Sequence, residues 1–223
     1  MHRLAVFVLL PIALQVNTAF AADYVVIPSG YENMPGNNYN GSPFGDGAQR
    51  FQMAIAASAL GAIAPGTAIT GIAFRLSGAA PVAPQTLTTF EVSLSVPANA
   101  PGSLSTTFSA NRGADAVLTR SGPLTIAVAD YPSGSSPNAF GRPIAFSTPY
   151  LYQGGNLLIE IATTSPSAIF YTDNLYPTPI NAQSAYSSSF SATTADVGTY
   201  VDTIIMQLWT DDVFRGDFEP PAS

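Results

Sequence analysis

From Thr86 to Val96 the chain reads TLTTFEVSLSV, with Phe90, Val92, Leu94 and Val96 on one face and Glu91, Ser93 and Ser95 on the other. Period-two alternation of this kind is a half-buried strand. Pro97 and the Pro101-Gly102 pair close it. Similar runs predict strands at Asp23–Ile27, Ile69–Leu76, Leu118–Ala129 with a break at Gly122-Pro123, Ile144–Tyr152, Leu157–Ala162, Ala168–Thr172 and Tyr200–Thr210. Turn-rich segments separate them, among them Pro132–Asn138 and Tyr176–Gln183. Ser29–Gly47 is rich in Gly, Asn and Pro and reads as a long loop crossing one end of the fold. Gln49–Leu60 carries enough Ala and Met to permit a helix and is the ambiguous segment. Many short strands with Gly/Pro turns and no amphipathic helix predict an all-β fold, a single antiparallel β-sandwich or jelly-roll-like domain over residues 23–210. No repeat of 20–50 residues runs through the chain, which argues against a solenoid or propeller.

The first 22 residues follow a different pattern. His2 and Arg3 precede an apolar run from Leu4 to Leu14 broken only by Pro11, and Ala19 and Ala21 stand at the A-x-A spacing that signal peptidase reads. The expectation is a secretory signal peptide cut near Ala21-Ala22, and hence a protein exported to the cell envelope or the medium. Gln15, Asn17 and Thr18 interrupt the run before it is long enough to span a bilayer. Every later apolar run is cut by Gly, Pro, Ser or a charge, so no membrane span is expected in the mature chain. Residues 211–223 follow the last strand and read as a loosely held tail.

Charge and composition narrow the chemistry. Only 9% of the residues are charged, and there is no cysteine, so neither disulfides nor a thiol-linked lipid anchor is possible. Without residues 1–22 the chain has no lysine and no histidine, and six arginines stand against fourteen acids, a formal charge of −8. Such a surface repels phosphate backbones, so nucleic acid is not an expected partner. Catalysis by an imidazole, a thiol or a lysine amine is excluded by the missing residues. Zinc, copper and iron sites, which draw on His and Cys, are disfavoured for the same reason, and no cofactor is expected. Calcium prefers oxygen ligands, with Asp173-Asn174, Asp196, Asp202 and Asp211-Asp212 as the available acids. None shows an alternating D-x-D-x-D-G loop, and scattered acids on a solvated acidic surface are the favoured explanation.

Two candidate sites remain. Glu91 and Glu160 both lie in predicted strands and form the carboxylate pair that a glycan hydrolase would need. Against that, Glu91 falls on the solvent face of its strand and Glu160 is placed to pair with an arginine such as Arg75 or Arg142. The second candidate is Phe170–Tyr176 (FYTDNLY), where Tyr171 and Tyr176 offer stacking faces and Asp173 and Asn174 offer polar groups for a sugar ring. Its competing interpretation is that these rings, with Tyr150 and Tyr152, plug the ends of the sandwich. Arg215-Gly216-Asp217 spells an integrin-binding tripeptide, a match short enough to arise by chance.

Four local features carry a family resemblance. They are Asn37–Phe44 (NNYNGSPF) leading into Gln49-Arg50-Phe51-Gln52, Ala57–Leu60 followed by Ile69–Leu76 (ITGIAFRL), the aromatic segment Ile144–Tyr152 (IAFSTPYLY), and Gly154–Ile161 (GGNLLIEI). In that order they resemble a group of uncharacterised bacterial secreted β-sandwich proteins, many of which carry PEP-CTERM or similar sorting tails. The resemblance implies a β-sandwich exported to the envelope or medium, with no known chemistry. This chain departs from the anchored members in lacking their Pro-Glu-Pro signal, closing hydrophobic helix and basic end. Val213–Glu219 (VFRGDFE) instead looks like a short ending found on some exported proteins of gamma-proteobacteria. The sequence thus points to a non-enzymatic exported protein. Its role is that of a surface or matrix component or a weak ligand-binding module, whose partner is a glycan or a cell-surface component. A carboxylate-based glycan hydrolase is the alternative.

Overall fold

A computed structural model describes residues 23–45 and 47–211. The expected signal peptide and most of the expected tail, including the Arg215-Gly216-Asp217 tripeptide, lie outside the described residues. Among those described, the strands in chain order are β1 Asp23–Ile27, β2 Asn38–Asn40, β3 Gln49–Ile55, β4 Ala68–Phe74, β5 Gln85–Leu87, β6 Phe90–Ser95, β7 Val117–Arg120 and β8 Leu124–Ile126, then β9 Ile144–Leu151, β10 Leu157–Thr163, β11 Thr172–Leu175, β12 Ala182–Ser187, β13 Thr199–Tyr200, β14 Thr203–Ile204 and β15 Met206–Asp211. Only short 3-10 turns interrupt them, and no helix among the described residues is long and apolar enough to cross a membrane.

The two main sheets are four-stranded, in the order β1-β15-β4-β9, and six-stranded, in the order β13-β12-β3-β10-β6-β7. Their pairings are antiparallel throughout. Phe51, Met53 and Ile55 of β3, Leu157, Ile159 and Ile161 of β10, and Phe90, Val92 and Leu94 of β6 join Ile72 and Phe74 of β4 and Met206 and Leu208 of β15 in one buried cluster. Alternate residues along each strand therefore supply the inner face, as a sandwich-like all-β fold requires. Phe44 anchors one end of this core. It is fully buried, stacks on Phe170 at 4.4 Å between ring centroids, and meets Phe74 edge-on at 5.6 Å.

Several predicted elements resolve differently. Gln49–Leu60 is strand β3 followed by a 3-10 turn at Ala57–Ala59, because Phe51, Met53 and Ile55 alternate into the core. The run Thr86–Val96 divides at Thr88-Thr89 into β5, paired with β8, and β6, paired with β10 and β7. Ala168–Thr172 is not a strand along its length. Phe170 turns inward onto Phe44, and ladder pairing begins only at Thr172, opposite Asn40. Tyr200–Thr210 breaks into β13, β14 and β15, which belong to three different sheets. The loop Ser29–Gly47 contains β2, and β12, unpredicted, begins at Ala182 within the expected loop Tyr176–Gln183.

Strands β14, β11 and β2 form a small third sheet in that order. Asn174 stands opposite Ile204 and Asn38, and Asp173 opposite Tyr39. Besides backbone bonds, a buried arginine ties this sheet to the main body. Arg75, just after β4 and with no solvent exposure, donates from Nε to Asp173 Oδ2 at 2.8 Å, from Nη1 to the Tyr31 carbonyl at 2.8 Å and from Nη2 to the Met34 carbonyl at 2.5 Å. Its guanidinium also lies over the Phe140 ring, 5.1 Å from the centroid. The buried charge is thus neutralised and its donors used, which is the condition under which an interior ion pair is tolerated.

Candidate functional site

An open cleft of about 440 Å³ lies where the small sheet meets the inner face of the six-stranded sheet near its β12-β13 edge. Ladder register explains which side chains enter it. Tyr186 of β12 stands opposite Phe51 of β3, and Ser184 stands opposite both Met53 and Tyr200. Residues paired across a ladder share a face, so Ser184, Tyr186, Tyr200, Phe51 and Gln49 all project to the core side. There they line the cleft, with Phe51 and Tyr186 also touching the apolar core. The opposite wall comes from Asn38, Tyr39 and Asn40 of β2, from Gly41 and Ser42 after it, and from Tyr171, Asn174 and Tyr176 in and around β11.

Three of the four residues singled out in Phe170–Tyr176 therefore meet at this cleft: Tyr171, Asn174 and Tyr176. The two tyrosines are 40% and 53% exposed, and the Tyr171 ring meets Tyr39 edge-on at 5.0 Å. Asn37 clasps Tyr176 from both sides, accepting from its backbone N–H at 2.9 Å and donating to its carbonyl at 3.3 Å. Asp173 is not in the cleft lining. It is buried against Arg75, and both of its carboxylate oxygens accept from the Gly36 N–H at 3.0 Å. Its task is to hold the segment before β2 in place. Tyr150 and Tyr152, by contrast, are core plugs. Each is 3% exposed, with hydroxyls donating to Asp115 and to the Gly155 carbonyl.

The floor of the cleft is polar. Asp202, between β13 and β14, is 7% exposed and accepts from Ser184 Oγ and from Asn40 Nδ2, the latter at 3.0 Å. Asn174 also hydrogen-bonds Asp202, and its own Oδ1 is buried without a partner. Burial pushes the Asp202 carboxyl above the ordinary aspartate range, and the hydrogen bonds from Ser184, Asn174 and Asn40 offset this only in part. Ser42 Oγ donates to Gln49 Oε1 at 2.7 Å, and Asn40 Oδ1 accepts from the Ser42 N–H at 2.8 Å, which fixes the rim.

Sequence reasoning missed Tyr39, Tyr186, Tyr200, Ser184 and the asparagines of β2 as site residues, and it weighed Asp202 only as a calcium ligand. The signal for β2 was present, since N-Y-N at 38–40 alternates with period two, but a polar alternation inside a Gly/Pro-rich stretch reads as loop. Among the described residues no three carboxylates gather at one point. Asp196 accepts from Ser187 and Ser188, whose hydrogen bonds lower its pKa.

The two glutamates lie elsewhere. Glu160 stands opposite Ser93, and Glu91 precedes Ser93 by two residues on the same face of β6. That diagonal register puts their backbones about 7–8 Å apart. This is the outer face of the six-stranded sheet, where Leu104 packs on Ala54 and Leu158. Arg112 grips Glu160 with two bonds, of 2.7 Å from Nε and 2.5 Å from Nη2. Arg50 adds one of 2.5 Å and Gln52 Nε2 another of 2.6 Å. The expected partners are corrected accordingly. Arg75 serves Asp173, and Arg142 pairs with Asp130 at 2.9 Å, because the antiparallel register brings Arg50 and Arg112 to Glu160 instead. Burial opposes the charge on Glu160, but the guanidiniums and the Gln52 amide together outweigh it and hold the carboxyl below the usual range. Glu91 accepts from Ser121 Oγ at 3.2 Å.

The chain matches no protein-family model and no curated protein sequence.

Proposed function

We propose that the protein is an exported, non-enzymatic binding module of the cell surface or extracellular matrix, and that its tyrosine-walled cleft holds a saccharide. The observation that carries the reading is the composition of the cleft, in which Tyr39, Tyr171, Tyr176, Tyr186 and Tyr200 surround asparagine amides, serine hydroxyls and Asp202. Sugar rings present apolar C–H faces that stack on aromatic side chains, and hydroxyls that need both donors and acceptors nearby. Export is supported by the basic, apolar and small-residue order of positions 1–22.

Glycan-array screening followed by titration tests the reading. Replacing Tyr171 and Tyr176 together by Ala is expected to weaken binding by about 1–2 kcal/mol, roughly 5- to 30-fold, while leaving the melting temperature near that of the parent because both rings are exposed. Loss of folding in the double variant would instead make the rings part of the core. The ligand is expected back unchanged. The hydrolase alternative needs a carboxyl that stays protonated, whereas Glu160 is held ionised by two guanidiniums. Turnover abolished by Glu91→Gln or Glu160→Gln would reverse that judgement.

A further inference from the structure

Asp202 is a buried carboxylate whose partners among the described residues are all neutral. Ser184, Asn40 and Asn174 donate to it, and the ion pairs among the described residues do not include it. The described arginines are all committed elsewhere. Arg50 and Arg112 serve Glu160, Arg75 serves Asp173 and Arg142 serves Asp130. Arg120 donates to the carbonyls of Phe90, Gly122 and Pro123. The chain contains no lysine to take the role. Buried charges are normally paired, because an isolated ion forfeits its hydration for nothing. Among the described residues Glu160 and Asp173 obey that rule and Asp202 does not.

Two further features of the same cleft fit a cation. Asn174 Oδ1 is a second buried acceptor with no partner, next to Asp202, with which its side chain is hydrogen-bonded. The walls are tyrosine rings, whose negative faces attract a cation, most strongly where water is excluded. An acceptor pair on the floor favours a nitrogen that still carries N–H donors over a quaternary one.

We propose that the occupant of this cleft carries a protonated primary amine seated against Asp202 and Asn174 within the tyrosine walls, so that the preferred glycan is an amino sugar with a free rather than acetylated nitrogen. The proposal rests on the saccharide reading for the sugar and on Asp202 for the charge. The acidic surface would attract any polycation weakly, so a Coulombic attraction to the molecule at large must be separated from the cleft. Screening by salt removes the former first, because exposed charges are screened more than buried ones.

The experiment is calorimetric titration of the wild-type protein, in moderate salt and at a pH that keeps the amine charged, with glucosamine oligomers, with their N-acetyl counterparts, and with ethanolammonium. The free-amine oligomer is expected to bind about tenfold tighter than the acetylated one, the scale of a desolvated cation–π contact or charged hydrogen bond. Asp202→Asn is expected to abolish that preference while keeping the weaker affinity for both oligomers, with a melting temperature no lower than wild type. Equal affinity for the two oligomers in the wild type overturns the charge proposal but leaves saccharide binding standing. A preference that survives in Asp202→Asn overturns it as well, since the attraction then belongs to the surface. If no sugar binds, the saccharide reading fails. In that case amide shifts around Asn174 and Tyr200 on adding ethanolammonium, absent in Asp202→Asn, keep the cation site, and their absence in the wild type removes it.

Discussion

Glu160 and Asp202 are both acids buried among hydrogen-bond donors, yet they act on stability with opposite sign. Glu160 faces two guanidiniums, so its folded-state pKa lies below the unfolded value. Its contribution is fully present above the ordinary glutamate range and is lost as pH falls through the depressed value. Glu160→Gln is expected to lower stability at neutral pH by about 2 kcal/mol, measured by denaturant unfolding, with a penalty that shrinks in acid as the parent loses the same interaction. Among the described residues Asp202 has only neutral donors, and burial raises its pKa. The folded state then holds the proton more tightly than the unfolded chain, so the charged form costs stability as pH rises through the raised value. Asp202→Asn should therefore raise the melting temperature at neutral pH, by roughly 2–4 °C for each kcal/mol relieved. The gain should fade below the ordinary aspartate range, where Asp202 is protonated in both states. A melting temperature lowered at neutral pH would show that the carboxylate is needed where it stands.

At the scale of elements, the cleft depends on how the stretch before β2 is fastened. Gly36 makes the fastening possible. A Cβ there would collide with the Asn174 carbonyl and with Asp173 Oδ1, the same carboxylate to which the Gly36 N–H donates. Gly36→Ala is expected to cost about 1–3 kcal/mol through overpacking. It should also weaken ligand binding by more than that loss of stability alone implies, since Asn37, Asn38 and Tyr39 move with it. Titration of the variant at a temperature where circular dichroism shows it fully folded separates the two effects. The same elements show where sequence pattern stopped. β6 and β10 carry an apolar residue at alternate positions on the face that packs in the core, so Phe90, Val92 and Leu94, or Leu157, Ile159 and Ile161, announce themselves. β12 does not, because its run AQSAYS places Ser184 and Tyr186 on the inward side, where they meet the cleft. A strand that faces a binding cleft loses the alternation by which strands are recognised.

For the molecule as a whole, the main core is organised between two sheets and closed at one end by aromatic rings around Phe44, which touches Phe74, Phe90, Tyr131 and Phe170. Phe44→Ala should cost about 3–5 kcal/mol, readable as a lowered denaturant midpoint, because four rings surround the space it would leave. From its sequence alone this protein was determined to be all-β, free of disulfides and, beyond residue 22, without the imidazole, thiol or lysine amine on which most catalytic sites depend, since alternation and composition are properties of the chain itself. The stacking character of Tyr171 and Tyr176 was equally legible, because it belongs to their side chains. Only the tertiary structure decided that Asp173 turns to Arg75 while Asn174 turns to the cleft, and that Glu160 is consumed by Arg50 and Arg112. The same holds for Tyr39 of β2, which the fold brings from the far end of the chain to meet Tyr186, Tyr200 and Asp202. Each of those outcomes depends on which strands become neighbours and in what register, and antiparallel pairing across more than a hundred residues leaves no local mark on the segments it brings together.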